Sequence, residues 1–257
     1  MLRGYTADQI SIANFFENSL NYEVLAGQRD DIKLEDLAYN DFDQTLNDVK
    51  GILSSGSYDR FFLFILSHGD DKGILTNEPG SKKKIAEDKA YSVDKVIAKF
   101  NHINLPNMRG FPKCIFVQAC RGTGNPEAAA DSSREDSTQE TQSPDPSQQE
   151  GPFQETSLPK MANGGDVLVC YPSEAGHYSY LTPAGSFLIQ EVISAIKKYY
   201  STEHLLDILA EVTYEVGLTI RPKKSMETGR TEEVSQMPHI VTTLTKKFYL
   251  YIEQNER

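Results

Sequence analysis

Two short, largely apolar runs stand out in the hydrophobic pattern of the chain, one over residues 61–66 and the other over residues 113–117. Runs of this length that are bounded by polar loops are typical of strands buried on both faces of a sheet. The first run ends in Ser67-His68-Gly69-Asp70, and the second ends in Gln118-Ala119-Cys120-Arg121-Gly122. The pattern therefore predicts two buried strands, and each leads into a loop that carries a reactive type of side chain.

The rest of the pattern alternates helix with strand. Apolar residues at helical spacing predict helices over about residues 8–20, 42–53, 93–100, 186–200 and 203–216, with Thr6 or Asp8 as the N-cap of the first. Apolar and β-branched runs predict further strands over residues 22–24, 166–171, 239–245 and 248–251. The polar stretches 70–90 and 217–238 are interpreted as loops. This order predicts an α/β fold with a mostly parallel central sheet and helices on both faces.

The composition changes sharply between residues 123 and 163, where Ser, Thr, Gln, Glu, Asp and Pro replace almost all apolar residues. Such a segment cannot offset its ordering entropy by burial, so it is predicted to be a disordered acidic linker. The apolar pattern resumes at residue 166, and 257 residues are enough for one large α/β domain. We therefore predict one domain with a long insert, in preference to two small domains.

Charge and cysteine content exclude several classes of function. The net charge of −11 argues against a nucleic-acid partner, because polyphosphate binding needs a basic face. The 3 cysteines lack the C-x-x-C spacing of zinc ribbons and suit no disulfide framework, so no metal or cofactor is expected and a reducing compartment is predicted. The sequence contains no membrane-spanning apolar run and no signal peptide at its start. We expect a cytoplasmic protein without a membrane partner.

Cys120 and His68 are each predicted at the carboxyl end of a strand, where the working residues of open α/β sheets gather. A neighbouring imidazole that takes the proton of a thiol makes the sulfur a nucleophile for carbonyl groups, most simply in peptide hydrolysis. The N–H groups of Gly69 and Cys120 could face the oxyanion that develops. A lone cysteine at a strand end is more often a small buried hydrophobe, and Cys114 and Cys170 are interpreted in that way.

The joint pattern favours the reactive interpretation of Cys120. Gln118-Ala119-Cys120-Arg121-Gly122, with a histidine about 50 residues upstream, resembles the caspase signature. Four further stretches resemble caspase landmarks in the caspase order: Ser67–Asp70, Tyr178–Tyr180, Gly185–Gln190 and Pro238–Lys247. The resemblance implies a caspase-like sandwich and a cysteine endopeptidase that cuts after aspartate, usually in cell death or inflammation. It also implies Cys120 as nucleophile, His68 as acid and base, and the amides of Gly69 and Cys120 as the oxyanion hole.

The resemblance further implies a precursor that is cut in its linker. Residues 1–136 would be the large subunit, residues 123–163 the linker and residues 164–257 the small subunit, together one catalytic domain. Asp131 and Asp136 are each followed by serine and are the candidate processing sites, and the resemblance implies an upstream activating caspase as a partner. Two such units would pair through the last strand, as a homodimer or as a heterodimer with another caspase.

Departures from the family pattern bear on substrate choice and on activity. The aspartate pocket of the family uses two arginines and the signature glutamine. Gln118 is present, Arg3 lies in an Arg-Gly turn that resembles the first arginine site imperfectly, and Tyr178, Ser179 and Tyr180 resemble the substrate-binding triplet. Leu181 stands at the second arginine position and cannot bind a carboxylate, so a weakened aspartate preference is expected.

The layout resembles that of an effector caspase without a recruitment prodomain, and the first sheet strand of the family is expected to be missing because the chain begins close to Arg3. The alternative to an active endopeptidase is a catalytically weak or inactive homologue that regulates an active caspase by dimerisation. An α/β binding module without catalysis is a third hypothesis, and it requires the signature to be accidental.

Overall fold

The computed structural model describes residues 3–25, 34–78, 85–122, 165–218, 221–224 and 231–251. The helices are α1 (Arg3–Asn18), α2 (Tyr39–Ser55), α3 (Val93–Lys99), α4 (Phe187–Tyr199) and α5 (Leu205–Leu218). The strands are β1 (Phe61–Leu66), β2 (Ile74–Asn77), β3 (Ile85–Tyr91), β4 (Lys113–Gln118), β5 (Val167–Tyr171), β6 (Leu181–Thr182), β7 (Gly185–Ser186), β8 (Arg221–Lys224), β9 (Thr231–Val234) and β10 (His239–Thr242).

The central sheet has the strand order β1-β4-β5-β10. Strands β1, β4 and β5 run parallel to one another, and β10 pairs antiparallel with β5. The connection from β1 to β4 contains α3, in keeping with the crossover that parallel pairing requires, and the connection from β4 to β5 lies mostly outside the described residues. The predicted α/β fold with a mostly parallel sheet is confirmed.

Strand β4 is buried along its whole length because both faces of the sheet are covered. Cys114 and Phe116 point into a core that contains side chains of α1, α4 and α5. Ile115 and Val117 point the other way, into a core built with α2 and α3. Successive side chains of a strand face opposite sides, so one apolar run supplies both cores.

Helix α1 begins earlier than the sequence pattern predicts. Residues 3–6, expected to form a turn, are its first turn. Tyr5 and Ile12 are each only 8% exposed, so the buried face of the helix extends upstream of Asp8, whereas Ile10, expected on that face, is 54% exposed. Asp8 therefore lies inside the helix, and the prediction of an N-cap at Thr6 or Asp8 is wrong.

Both long polar stretches that were interpreted as loops contain a hairpin. In the first, β2 pairs antiparallel with β3, and the facing residues Ile74 and Tyr91 are 2% and 0% exposed. In the second, β8 pairs antiparallel with β9. The predictions failed because polar and charged residues interrupt or replace the apolar positions of these strands, so the backbone ladder and not an apolar stripe defines them.

Two predicted strands are absent. Residues 21–25 have no ladder partner, and Tyr22 and Val24 pack instead against the α1 side of the core. The run at 248–251 forms an isolated antiparallel bridge instead of a strand, with Tyr249 opposite His204 and the Phe248 carbonyl accepting the Leu205 N–H at 2.7 Å. The Phe248 ring packs on the same core. Apolar and aromatic residues in both runs are thus used for packing against helices.

The two edges of the central sheet are β1 and β10. Within the described ranges, no strand pairs with the outer side of β1, where the family resemblance places a further strand. Among the described strands, β10 pairs with β5 alone, and its residues are exposed or half-buried. An edge strand of this kind presents unpaired backbone groups.

The predicted linker, residues 123–163, lies outside the described residues, as do Asp131 and Asp136. None of the helices that the structure describes is long and apolar enough to cross a membrane. Over the same ranges, no cluster of three or more His, Cys, Asp or Glu side chains is arranged to hold a metal ion.

Asp8 joins α1 to the start of α4. The Ser186 N–H lies 3.0 Å from both carboxylate oxygens of Asp8, and the Ser186 hydroxyl caps α4 by accepting the Ile189 N–H. Asp8 is 1% exposed. Burial raises the pKa of Asp8 to about 6, because it outweighs the hydrogen bonds from Ser186 that favour the carboxylate.

We expect Asp8 to reduce the stability of the fold as the pH rises from about 4 to 7. The folded-state pKa of about 6 lies above the value of 3.8 for a free side chain, so the folded protein binds more protons between these values and its free energy of unfolding falls through them. Asp8→Asn keeps an oxygen acceptor without the charge. It should therefore remove this pH-dependent fall in the free energy of unfolding, which amounts to about 3 kcal/mol. Urea unfolding at both pH values measures this, with the exposed Asp71→Asn as control. Equal pH dependence in wild type and Asp8→Asn would contradict the expectation.

Candidate active site

The register of the central sheet brings the His68 and Cys120 loops together. Strands β1 and β4 pair in parallel, with Leu66 opposite Gln118, and the Ser67 N–H donates to the Gln118 carbonyl at 3.0 Å. His68 and Cys120 each follow this last pair by two positions. Both loops therefore leave the same edge of the sheet from neighbouring strands, as the apolar runs predicted.

Gly69 forms the closest contact between the two loops. A Cβ atom at this position would collide with the Cys120 carbonyl oxygen and would lie 2.9 Å from the Ala119 Cβ. Because glycine has no Cβ, the backbone after His68 can approach the backbone around the cysteine. Any larger residue at position 69 would push the two loops apart.

The amides of Gly69 and Cys120 are available to a ligand. Neither N–H donates a hydrogen bond to any residue that the structure describes, and both residues are only half-buried. A backbone N–H that makes no hydrogen bond within a helix or sheet needs water or a ligand as its acceptor. Two such donors beside a thiol can hold the oxygen of a carbonyl under attack.

The sulfur of Cys120 lies against Ser179. The Ser179 N–H donates to Sγ at 3.4 Å, and the hydroxyl and carbonyl oxygens of Ser179 lie 3.6 and 3.7 Å from Sγ. Gln118 Nε2 donates to the same hydroxyl at 3.3 Å. Three of the predicted site residues, from segments about 60 positions apart, therefore touch in succession.

A cleft of about 170 Å³ borders Cys120. The loop at residues 70–74 lines one part of it, and Arg121, Tyr171 and Ala175 line another. Cys120 is half-buried, so the cleft leaves the nucleophile loop open to solvent on this side.

The other two cysteines are unsuited to reaction. All three are free thiols, but Cys114 and Cys170 are 0% exposed. Burial raises the pKa of Cys170 to about 12 and also raises the pKa of Cys114. A thiol that is buried and protonated at neutral pH cannot meet a substrate, so Cys120 is the accessible cysteine.

His68 is exposed overall, but part of its ring is removed from water, and this desolvation lowers its pKa from the ordinary value. A lowered pKa keeps the imidazole neutral at physiological pH. Only the neutral ring can accept a proton from a thiol, so the direction of the shift suits a general base.

The predicted aspartate pocket lacks its second cation. Leu181 pairs with Ser186 in the β6–β7 hairpin, and its Cδ1 lies 2.6 Å from where a Cβ of Gly4 would stand. The leucine side chain thus packs against the first turn of α1. Arg3 belongs to that helical turn and not to the Arg-Gly turn that was expected, and its side chain lies outside the described part of the structure.

Tyr178 and Tyr180 flank Ser179 with opposite exposures. Tyr178 is 37% exposed, whereas Tyr180 is 4% exposed and packs against Phe187 with 6.0 Å between ring centroids. The Phe187 N–H donates to the Tyr180 carbonyl at 3.3 Å. The buried tyrosine therefore anchors the segment that carries Ser179 to the start of α4.

Gln236 holds the same segment and was missed in the sequence analysis. Its side chain is 1% exposed, and its Oε1 accepts the Tyr180 N–H at 2.9 Å. The residue lies just before β10 in a polar stretch that predicted a loop, and a glutamine there carries no local signal. Only the tertiary structure places it behind the Ser179 segment.

We expect Gln236→Leu to lower the free energy of unfolding by about 1–3 kcal/mol, because it leaves the buried Tyr180 N–H without an acceptor. Urea unfolding measures the loss, and faster hydrogen exchange at the Tyr180 amide should accompany it. Gln190→Leu is the matched control, since the amide nitrogen of Gln190 has no partner among the described residues. Similar losses in the two variants would show that the hydrogen bond to Tyr180 is not responsible.

Arg121, next to the nucleophile, contacts residues of β5, β10 and the loop after β5. Its guanidinium donates to the Ser173 carbonyl at 3.1 Å, lies 3.2 Å from His239 Nδ1 and stacks 3.9 Å from the centre of the Tyr171 ring. Such a planar cation suits both hydrogen bonding and stacking. Arg121 therefore ties the cysteine loop to β5 and β10.

Comparison with known proteins agrees with this arrangement. A family model for the caspase domain matches residues 1–249. Caspase-3 of Mus musculus is 29% identical over 220 residues, which are 82% of this chain and 69% of that protein. Caspase-4 of Mus musculus is 27% identical over 96% of this chain and 59% of its own length, and caspase-1-A of Xenopus laevis is 30% identical over 75% and 45%. The chain thus spans about half to two thirds of the length of these curated relatives.

The match extends over nearly the whole chain, and the cysteine and histidine of the signature stand at adjacent strand ends of an α/β sheet. The chain therefore belongs to the caspase family.

Proposed function

We propose that this chain is a caspase-like cysteine endopeptidase that acts in the cytoplasm. The observation that carries the proposal is the placement of Cys120 and His68 at the ends of adjacent parallel strands, with the unpaired amides of Gly69 and Cys120 between them. This set contains a nucleophile, a base and an oxyanion site, which are the parts that acyl transfer needs.

In the proposed reaction, His68 takes the proton of the Cys120 thiol while Sγ forms a bond to the scissile carbonyl carbon. The carbonyl oxygen becomes an oxyanion that accepts hydrogen bonds from the Gly69 and Cys120 amides. The C–N bond then breaks, and His68 returns the proton to the departing amine. Water then attacks the carbonyl carbon of the thioester while His68 takes its proton, the C–S bond breaks to release the acid product, and His68 returns the proton to Sγ, which restores the thiol.

The substrate side chain before the scissile bond would lie near Gln118 and Ser179, beside the segment that contains Tyr178 and Tyr180. We propose that aspartate is accepted there without strict preference. The family places an arginine at the position of Leu181. Leucine supplies no charge there, and its side chain packs against Gly4. The pocket then binds a substrate carboxylate with at most one arginine, Arg3.

We further propose that the chain is made as a zymogen and cut after Asp131 or Asp136, by itself or by an upstream caspase, and that two catalytic units pair through β10. The position of β10 at the edge of the described central sheet, where its outer backbone groups have no strand partner, supports such pairing. Membership of the caspase family supports the proposal of a role in apoptosis or related signalling.

Incubation of the purified protein with aspartyl and non-aspartyl peptide substrates tests the proposal, with product masses identifying the cut bonds. Cleavage that depends on Cys120 is the expected result. Absence of Cys120-dependent cleavage of every substrate would reject the endopeptidase proposal.

The second candidate is a weak or inactive homologue that regulates an active caspase by dimerisation. Leu181 in place of a cation and the contact of Ser179 with Sγ favour it. Co-purification with a full-length caspase partner, together with altered activity of that partner, would support this function. A monomer that cuts peptides unaided would count against it.

A further inference from the structure

Among the residues that the structure describes, none is a polar partner that would set the orientation of the His68 imidazole. A catalytic base is usually oriented by a third group that bonds its second ring nitrogen. Around His68, no described residue makes a hydrogen bond to either ring nitrogen. The contact that the described residues do offer to the ring is aromatic packing.

Tyr5 of α1 supplies that packing. Its ring meets the His68 ring edge to face, with 6.2 Å between the centroids and 77° between the planes. This distance and angle lie in the favourable range for aromatic pairs. Tyr5 is the helical residue that approaches the histidine loop from outside the sheet.

The Tyr5 hydroxyl also holds the backbone before His68. It donates to the Ser67 carbonyl at 2.6 Å, and the Ser67 hydroxyl donates to the Leu75 carbonyl at 2.8 Å. One side chain thus contacts both the ring of His68 and the peptide unit that precedes it. Tyr5 is 8% exposed, so the hydrogen bond is shielded from water.

Cys120 acts electrostatically on Tyr5. Burial raises the pKa of Tyr5, and the Cys120 thiol and then Asp8 raise it further. The titratable groups that act on Tyr5 are therefore Cys120, just beyond the end of β4, and Asp8, in the same helix as Tyr5. Asp70, in the histidine loop, accepts the N–H groups of Lys72 and Gly73.

We propose that Tyr5 is a positioning residue that holds the His68 imidazole toward Cys120 through its ring edge and its bond to the Ser67 carbonyl. This rests on the proposed function, in which His68 is the base. The hydrogen bond from the Tyr5 hydroxyl fixes the position of the peptide unit before His68. The Tyr5 ring limits rotation of the imidazole about its side-chain bonds. Tyr5 itself exchanges no proton with the substrate.

The first test is independent of activity. The His68 resonances are followed by NMR against pH in the full chain with Cys120→Ala, before and after Tyr5→Leu or Tyr5→Phe. Tyr5→Leu removes the aromatic cover and should raise the His68 pKa toward the ordinary value of about 6.5. Tyr5→Phe keeps the cover and should leave the pKa near that of the parent.

Phe15→Leu is the matched control, because Phe15 is another buried aromatic of α1, 4% exposed, whose ring contacts are with Phe16 and Tyr200. It should cost stability without moving the His68 pKa. An unchanged His68 pKa in Tyr5→Leu, or an equal change in Phe15→Leu, overturns the proposal even if the protein cuts no peptide.

The second test uses the Cys120-containing protein. Tyr5→Leu should lower kcat by about 10- to 100-fold with KM unchanged, because a misplaced base affects the chemical step. Tyr5→Phe, which loses only the bond to Ser67, should fall between Tyr5→Leu and wild type. A rise in KM with unchanged kcat would instead make Tyr5 a substrate-binding residue and reject the positioning role.

Discussion

Replacing Cys120 by alanine is expected to lower peptide cleavage by at least about 10³-fold, because the nucleophile of the acyl transfer is removed while the oxyanion amides remain. The Cys120 side chain is half-buried and makes its contacts with Ser179 only through sulfur. The loss of one sulfur atom should therefore leave the fold intact. Initial rates on the best peptide substrate, with circular dichroism of the variant, measure the effect.

Cys170→Ala is the control for this variant. Its sulfur is fully buried in the core on the α1 side, so the change should reduce stability and leave the rate per folded molecule unaltered. Iodoacetamide should label Cys120 first in the wild type, since burial raises the pKa values of Cys114 and Cys170. Residual cleavage equal to wild type in Cys120→Ala would exclude Cys120 as the nucleophile.

Leu181→Arg is expected to raise the preference for aspartate over an uncharged residue before the scissile bond by on the order of 10² to 10³. A guanidinium that pairs with a buried carboxylate contributes about 3–5 kcal/mol relative to the unpaired charge. Arginine also offers the planar fork that matches a carboxylate. The ratio of kcat/KM for paired aspartyl and asparaginyl peptides measures the change.

Leu181→Met controls for packing at the same position. Leu181 lies against Gly4 in the first turn of α1, so any substitution disturbs that contact, but only arginine brings charge. Methionine should leave the ratio near that of the wild type. If Leu181→Arg cuts peptides with an unchanged ratio, position 181 does not face the substrate carboxylate.

Some of the fold could be predicted because its signals are local. The runs that form β1 and β4 are continuous and apolar, and a strand buried on both faces can be recognised from such a run alone. The helices α2, α3, α4 and α5 also follow from apolar spacing. The hairpins β2–β3 and β8–β9 could not be predicted, since their pairing is a property of two backbones and leaves little trace in residue type.

At the start of the chain, neither the hydrophobic pattern nor the family resemblance predicted the structure correctly. The turn expected around Arg3 is helical because Tyr5 and Asp8 are buried by residues more than 60 positions away, Ser67 and Ser186. A polar residue such as Asp8 gives no apolar signal even when it is 1% exposed. Its buried hydrogen bond to Ser186 therefore could not be inferred from spacing.

The sequence by itself determined the α/β class, the two strand ends that carry His68 and Cys120, and the uncharged residue at position 181. These follow from short apolar runs and residue identities, which are readable without neighbours. Only the tertiary structure decided that Ser179 lies on the Cys120 sulfur, that Gln236 holds Tyr180 and that Tyr5 packs on His68. Each of these contacts joins residues distant in the chain, and their geometry is set by strand register and helix packing, which no local pattern encodes.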